Sequence, residues 1–101
     1  MKYYLVENFG IENPSIDEAT LTEIMNQHFV YQREAVDEGF VLFAGPKVGA
    51  SGGCMIIKAD SYEEVFEYVS GDPLNIAKLR EYNINEFKPR SYQDFLETWF
   101  D

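Results

Sequence analysis

Apolar residues recur with the period of a helix along residues 21–36. At about 100° of rotation per residue, Leu21, Ile24, Met25, His28, Phe29, Ala35 and Val36 fall on one face. Glu23, Asn26, Gln27, Arg33, Glu34, Asp37 and Glu38 fall on the other. The pattern predicts an amphipathic helix, opened by a capping box at either Ser15 with Glu18 or Thr20 with Glu23. Gly39 suits the left-handed position that closes it. The anomaly is His28, the one histidine of the chain, in the middle of the inner stripe.

Ahead of this helix, KYYLVEN has the aromatic and β-branched content of a strand and stops at Asn8-Phe9-Gly10. Behind it, FVLFAGP reads as an apolar strand closed by Gly45-Pro46, and after the loop KVGASGG a third strand follows in GCMIIKA. DSYEEVFEYVSGD carries Tyr62, Val65, Phe66 and Val69 at helical spacing and is a second helix. Asp72-Pro73 starts a further short turn, with Asp as cap and Pro at the first helical position. In YNINEFKP, Tyr82, Ile84, Glu86 and Lys88 alternate with Asn83, Asn85 and Phe87, a looser strand pattern.

The order β-α-β-β-α-β predicts an α+β, ferredoxin-like domain over residues 1–90, with a four-stranded antiparallel sheet carrying both helices on one face. The other face is left bare. A second copy packed sheet to sheet covers it in the dimeric α/β barrel arrangement, so a homodimer is expected. Residues 91–101 form an extension in which Tyr92, Phe95, Leu96, Trp99 and Phe100 repeat at helical spacing behind Ser91, predicting a short C-terminal docking helix.

Charge narrows the partners. Eighteen acidic residues against eight basic ones give a formal net charge of -10, which repels both nucleic acid and anionic membrane surfaces. No apolar run is long enough to span a bilayer, and a cytoplasmic protein is expected. One cysteine, Cys54, and one histidine leave neither an internal disulfide framework nor a metal-binding cluster. Cys54 reads as a small core residue of the third strand. The loop GPKVGASGG lacks the ending of a phosphate-binding P-loop. Gly45, Gly52 and Gly53 can still bring backbone close to a ligand, and Lys47 can lend it a positive charge.

Four features in collinear order resemble the YCII-related (YciI-like) domain family of small dimeric ferredoxin-like proteins. They are His28 in the first helix, EGFVLFAGP at 38–46, GGCMIIKADSYEEVFEYVSGDPL at 52–74 and EFKP at 86–89. The resemblance implies an active-site pair at His28 and Asp72. Many members carry an arginine three residues before the histidine. This chain has Met25 there, so the anion-binding contribution expected from that arginine is missing.

Histidine is the side chain suited to proton exchange near neutral pH, and a carboxylate on its second nitrogen fixes the tautomer. Two functions stay open. One is a cofactor-independent lyase or isomerase in which His28, held by Asp72, is general acid or base towards a small polar organic molecule. The other is a non-catalytic module that binds a small ligand or dimerises, with His28 sealed in the core. Contact between His28 and Asp72 at the wall of a pocket separates them.

Overall fold

The computed structural model describes residues 1–100; Asp101, the last residue of the expected extension, lies outside the described residues. Seven elements build the domain: β1 (Lys2–Gly10), α1 (Glu18–Asp37), β2 (Val41–Pro46), β3 (Gly53–Ala59), α2 (Tyr62–Ser70), α3 (Pro73–Ile76) and β4 (Arg80–Phe87). The sheet is antiparallel, in the order β2-β3-β1-β4. The ferredoxin-like order expected from the pattern is the one observed.

Strand alternation sorts side chains between the two faces. Tyr4 and Val6 of β1, Met55 and Ile57 of β3 and Val41 of β2 point at the helices, and with Val65 and Val69 of α2 they form the core. Their neighbours Tyr3, Leu5, Lys58 and Ile56 point the other way. Cys54 belongs to this second set. It is half-buried, opposite Glu7 and Gly45, rather than in the core, because the β1–β3 register turns the even positions of β3 outward.

Local signals were displaced at several ends. The cap of α1 is Asp17, whose carboxylate accepts from the Thr20 amide at 2.7 Å, and neither expected capping box forms. Ser15 is engaged with the Asn13 side chain in the preceding turn, and Thr20 already lies inside the helix. The Thr20 hydrogen bonds hold the Asp17 carboxyl below its ordinary range. Gly39 adopts the expected positive φ, at 79°. β1 continues through Asn8-Phe9-Gly10, because Tyr82, Glu81 and Arg80 pair with these residues and draw the start of β4 back to Arg80.

The inner stripe of α1 is not uniformly buried. Ala35 is in the core, whereas Leu21 and Phe29 are 39% and 54% exposed, so the N-terminal half of α1 leaves a wall instead of sealing against the sheet. The tail is shorter than a continuous helix from Ser91: a 3-10 turn at Asp94–Leu96 leads into the single turn α4 (Glu97–Phe100), without a side-chain cap. Docking sets its position. The Trp99 indole donates to the Gly39 carbonyl at 3.0 Å and the Tyr3 hydroxyl to the Phe100 carbonyl at 3.0 Å, while the Lys58 ammonium donates to the Trp99 carbonyl. The tail thus covers one end of the second sheet face. Leu5, Phe43 and Phe87 remain at least 40% exposed there.

Candidate active site

Asp72 is placed by a local device. It lies just after α2 in extended conformation, Pro73 takes the first position of α3, and the Asp72 carboxylate accepts from the Leu74 amide at 2.9 Å. A carboxylate that is 1% exposed needs further hydrogen bonds to offset its lost hydration. His28 of α1 supplies them: its Nδ1 lies 2.9 Å from both Asp72 oxygens. With a carboxylate as acceptor, Nδ1 carries the proton, so Nε2 is the nitrogen left for chemistry.

Three tyrosines surround Asp72. Tyr31 donates to the Tyr68 carbonyl at 2.6 Å and stacks on the Tyr68 ring. The hydroxyls of Tyr68 and Tyr82 are buried without a protein hydrogen-bond partner in good geometry, although Tyr82 lies beside Asp72. Burial first, and the negative charge of Asp72 second, push the phenols of Tyr31, Tyr68 and Tyr82 above their ordinary range. The carboxylate is therefore flanked by groups that stay neutral.

His28 opens onto a cavity of about 150 Å³, roughly the volume that admits one six-membered ring. Met25, Phe29, Met55 and Leu74 supply apolar walls, and Asn8, Gln32 and Arg80 the polar ones. Gly45, Gly52 and Gly53, singled out from the loop, line the same cavity. Gly52 is there because nothing larger fits: its φ is +85°, and a Cβ would stand 2.0 Å from the Asn8 carbonyl oxygen.

Lys47 is directed elsewhere. It pairs with Glu7 at 2.9 Å and sits 3.7 Å above the Phe9 ring, outside the residues lining the cavity, because the chain beyond β2 turns towards the opposite sheet face. Asn8 and Arg80 were missed. Asn8 carries a readable signal, a polar residue in phase with inward-pointing Tyr4 and Val6, but it is masked by the Asn8-Phe9-Gly10 stop pattern at the strand's expected end. Arg80 carried none, since its position depends on pairing with β1. Among the described residues, no group of three or more His, Cys, Asp or Glu is arranged to hold a metal ion.

A four-stranded ferredoxin-like sheet with a His–Asp pair at the wall of a small cavity defines the class. The chain belongs to the YCII-related domain family, whose model matches residues 1–88. In fold it is similar to muconolactone isomerase, with a TM-score of 0.77 and 12% identity over 91% of this chain and 94% of that one. It is also similar to 5-chloro-2-hydroxyhydroquinone dehydrochlorinase from Burkholderia phenoliruptrix in complex with 2,5-dihydroxybenzoquinone. There the TM-score is 0.68 and the identity 21%, over 85% of this chain and 93% of that one. No curated protein matches the chain. No helix among the described residues is long and apolar enough to cross a membrane.

Proposed function

We propose that this protein is a small enzyme in which His28, oriented by Asp72, moves a proton on a single-ring organic substrate, leading to isomerisation or elimination. The carrying observation is the contact of Nδ1 with both carboxylate oxygens at 2.9 Å, which leaves Nε2 as the exchanging nitrogen. Nε2 takes a proton from carbon next to a carbonyl or phenol. In isomerisation the same proton returns at another carbon of the conjugated system; in elimination the electron pair of the broken C–H bond expels a leaving group. His28 and Asp72 perform either without a cofactor. The two solved neighbours are named for an isomerisation and a dehydrochlorination, and one holds a single-ring quinone; that supports the substrate size. The half-buried, unpaired thiol of Cys54 suits a reducing, cytoplasmic setting.

The single imidazole makes the test direct. Nitrogen NMR of the neutral His28 ring is expected to show the Nδ1-protonated tautomer in the wild type and a mixture in Asp72→Asn. In a screen of hydroxylated aromatic and lactone compounds, His28→Gln is expected to lower turnover at least ~100-fold with the circular dichroism spectrum unchanged. An unaltered tautomer in Asp72→Asn, or turnover that survives His28→Gln, defeats the reading.

The exposed sheet face supports a second part of the proposal, a homodimer. Leu5, Ile56 and Phe43 lie in one row across β1, β3 and β2, beside the end that the tail covers, and a second copy buries them. Light scattering at micromolar concentration is expected to give twice the chain mass, and Leu5→Asp to reduce it to one. A wild type that stays monomeric on concentration overturns this.

A further inference from the structure

We infer that the ligand of the His28 cavity is a small organic anion, an aromatic carboxylate or ionised phenol, whose charge is held by the Arg80 guanidinium and the Asn8 side-chain amide. This rests on the acid–base reading above and adds the substrate class. The protein carries a net charge of -10 and as a whole repels anions. The cavity wall reverses that bias, because no aspartate or glutamate lines it and Arg80 does. Asp72 stands behind the imidazole, 1% exposed, with its oxygens occupied by His28 and the Leu74 amide.

Three other cations, on α1, in the β2–β3 loop and on β3, are already engaged. Arg33 pairs with Asp37, Lys47 with Glu7, and Lys58 docks the tail through the Trp99 carbonyl. Arg80 forms no ion pair among the described residues; its Nη1 donates to the Leu79 carbonyl at 2.8 Å. The rest of a five-donor fork remains for an anion, and a guanidinium matches a carboxylate in geometry as well as charge. Glu81, next in the chain, alternates to the opposite sheet face.

Asn8 is the second, independent observation. It is 8% exposed, lines the cavity, and its Oδ1 accepts from the Gly53 amide at 3.0 Å. That bond orients the amide and leaves Nδ2 as a donor without a protein acceptor. An oriented amide with its N–H group unclaimed by the protein is able to donate to a ligand oxygen. The β1–β4 register places Asn8 and Arg80 on the helix-facing side, with Asn8 opposite Tyr82 and Arg80 opposite Gly10. Proton removal from a conjugated ring develops charge on an oxygen, and donors fixed in advance stabilise it most effectively. The apolar walls and the cavity volume select an organic ring over inorganic phosphate.

Benzoate and benzamide, alike in shape and different in charge, are the probes. In titrations of the full chain followed by NMR, benzoate is expected to shift the His28 ring and the Arg80 side chain and to bind at least ~10-fold tighter than benzamide. Arg80→Gln is expected to remove that advantage and leave benzamide binding as it was. Should Arg80→Gln fail to fold, Arg80→Lys, which keeps the charge and loses the fork, is expected to weaken benzoate while sparing benzamide. Equal binding of the two probes, no measurable benzoate binding at millimolar concentration, or benzoate binding that ignores the Arg80 variants overturns the inference. The tautomer experiment involves no anion, so the readings fail separately: benzoate selectivity with an unaltered Asp72→Asn tautomer keeps the anion site and removes the acid–base pair.

Discussion

Gly52→Ala is expected to destabilise the protein by about 4 kcal/mol or more, enough to unfold a domain of ordinary stability at moderate denaturant. Two costs combine. The backbone at Gly52 has φ +85°, a left-handed conformation that costs a residue with a Cβ roughly 1–2 kcal/mol. The Cβ would also stand 2.0 Å from the Asn8 oxygen and 2.6 Å from its carbonyl carbon, and backbone atoms cannot rotate aside. Relief requires the β2–β3 loop to move off β1, which breaks the Gly53 amide bond to Asn8 and distorts the cavity. Gly49→Ala is the control. Its φ is +81° with nothing within 4 Å of the added carbon, so only the conformational cost applies, about 1 kcal/mol. Urea midpoints for both variants decide the matter: if Gly52→Ala is no worse than Gly49→Ala, the close approach to Asn8 is absent in solution.

The second large effect is alkaline. Stability is expected to fall steeply above pH 10, by up to about 1.4 kcal/mol per pH unit for each of Tyr68 and Tyr82. In the unfolded chain both phenols ionise near the model value of 10.0, whereas in the folded protein burial and Asp72 push both well higher. Above pH 10 the unfolded state therefore binds fewer protons than the folded one. The contribution is fully present below 10 and is lost as pH climbs towards the folded values. Both rings keep some solvent contact, which trims the slope. Denaturant midpoints at about pH 9 and about pH 11 measure it. Tyr82→Phe is expected to flatten the fall by about half, because it removes one of the two phenols that burial and Asp72 hold un-ionised in the folded protein. A slope unchanged in Tyr82→Phe would show that the phenol ionises freely in the folded state.

The site was legible to very different degrees. The Asp-Pro step was readable as a cap from two adjacent residues, and the observed bond from Leu74 to Asp72 is local. That the same carboxylate also meets His28 came from resemblance alone, because the partners lie 44 residues apart and no spacing in the chain expresses that distance. Gly45, Gly52 and Gly53 were found because glycines punctuate a loop visibly. Lys47 shared their loop, yet its side chain left for Glu7 and Phe9, an outcome set by which sheet face the turn presents.

By itself the sequence determined what depends on a few neighbouring residues: the helical and strand periods, their order, and the Gly39 and Asp72 termini. These follow from backbone sterics and from the phase of apolar side chains, which act within about one turn or one strand. Tertiary structure alone decided where strands meet. The pairing of Gly10 with Arg80 and of Glu7 with Cys54 carried β1 past its apparent stop, turned Cys54 outward, and brought Arg80 and Asn8 to the wall opposite α1. The tail likewise kept only its last turn as helix, because the Trp99 and Phe100 contacts with Gly39 and Tyr3 set its course where local propensity is weak. Register is a property of two segments at once: a shift of one residue sends every side chain to the other face, and the hydrogen bonds that select it join residues far apart in the chain.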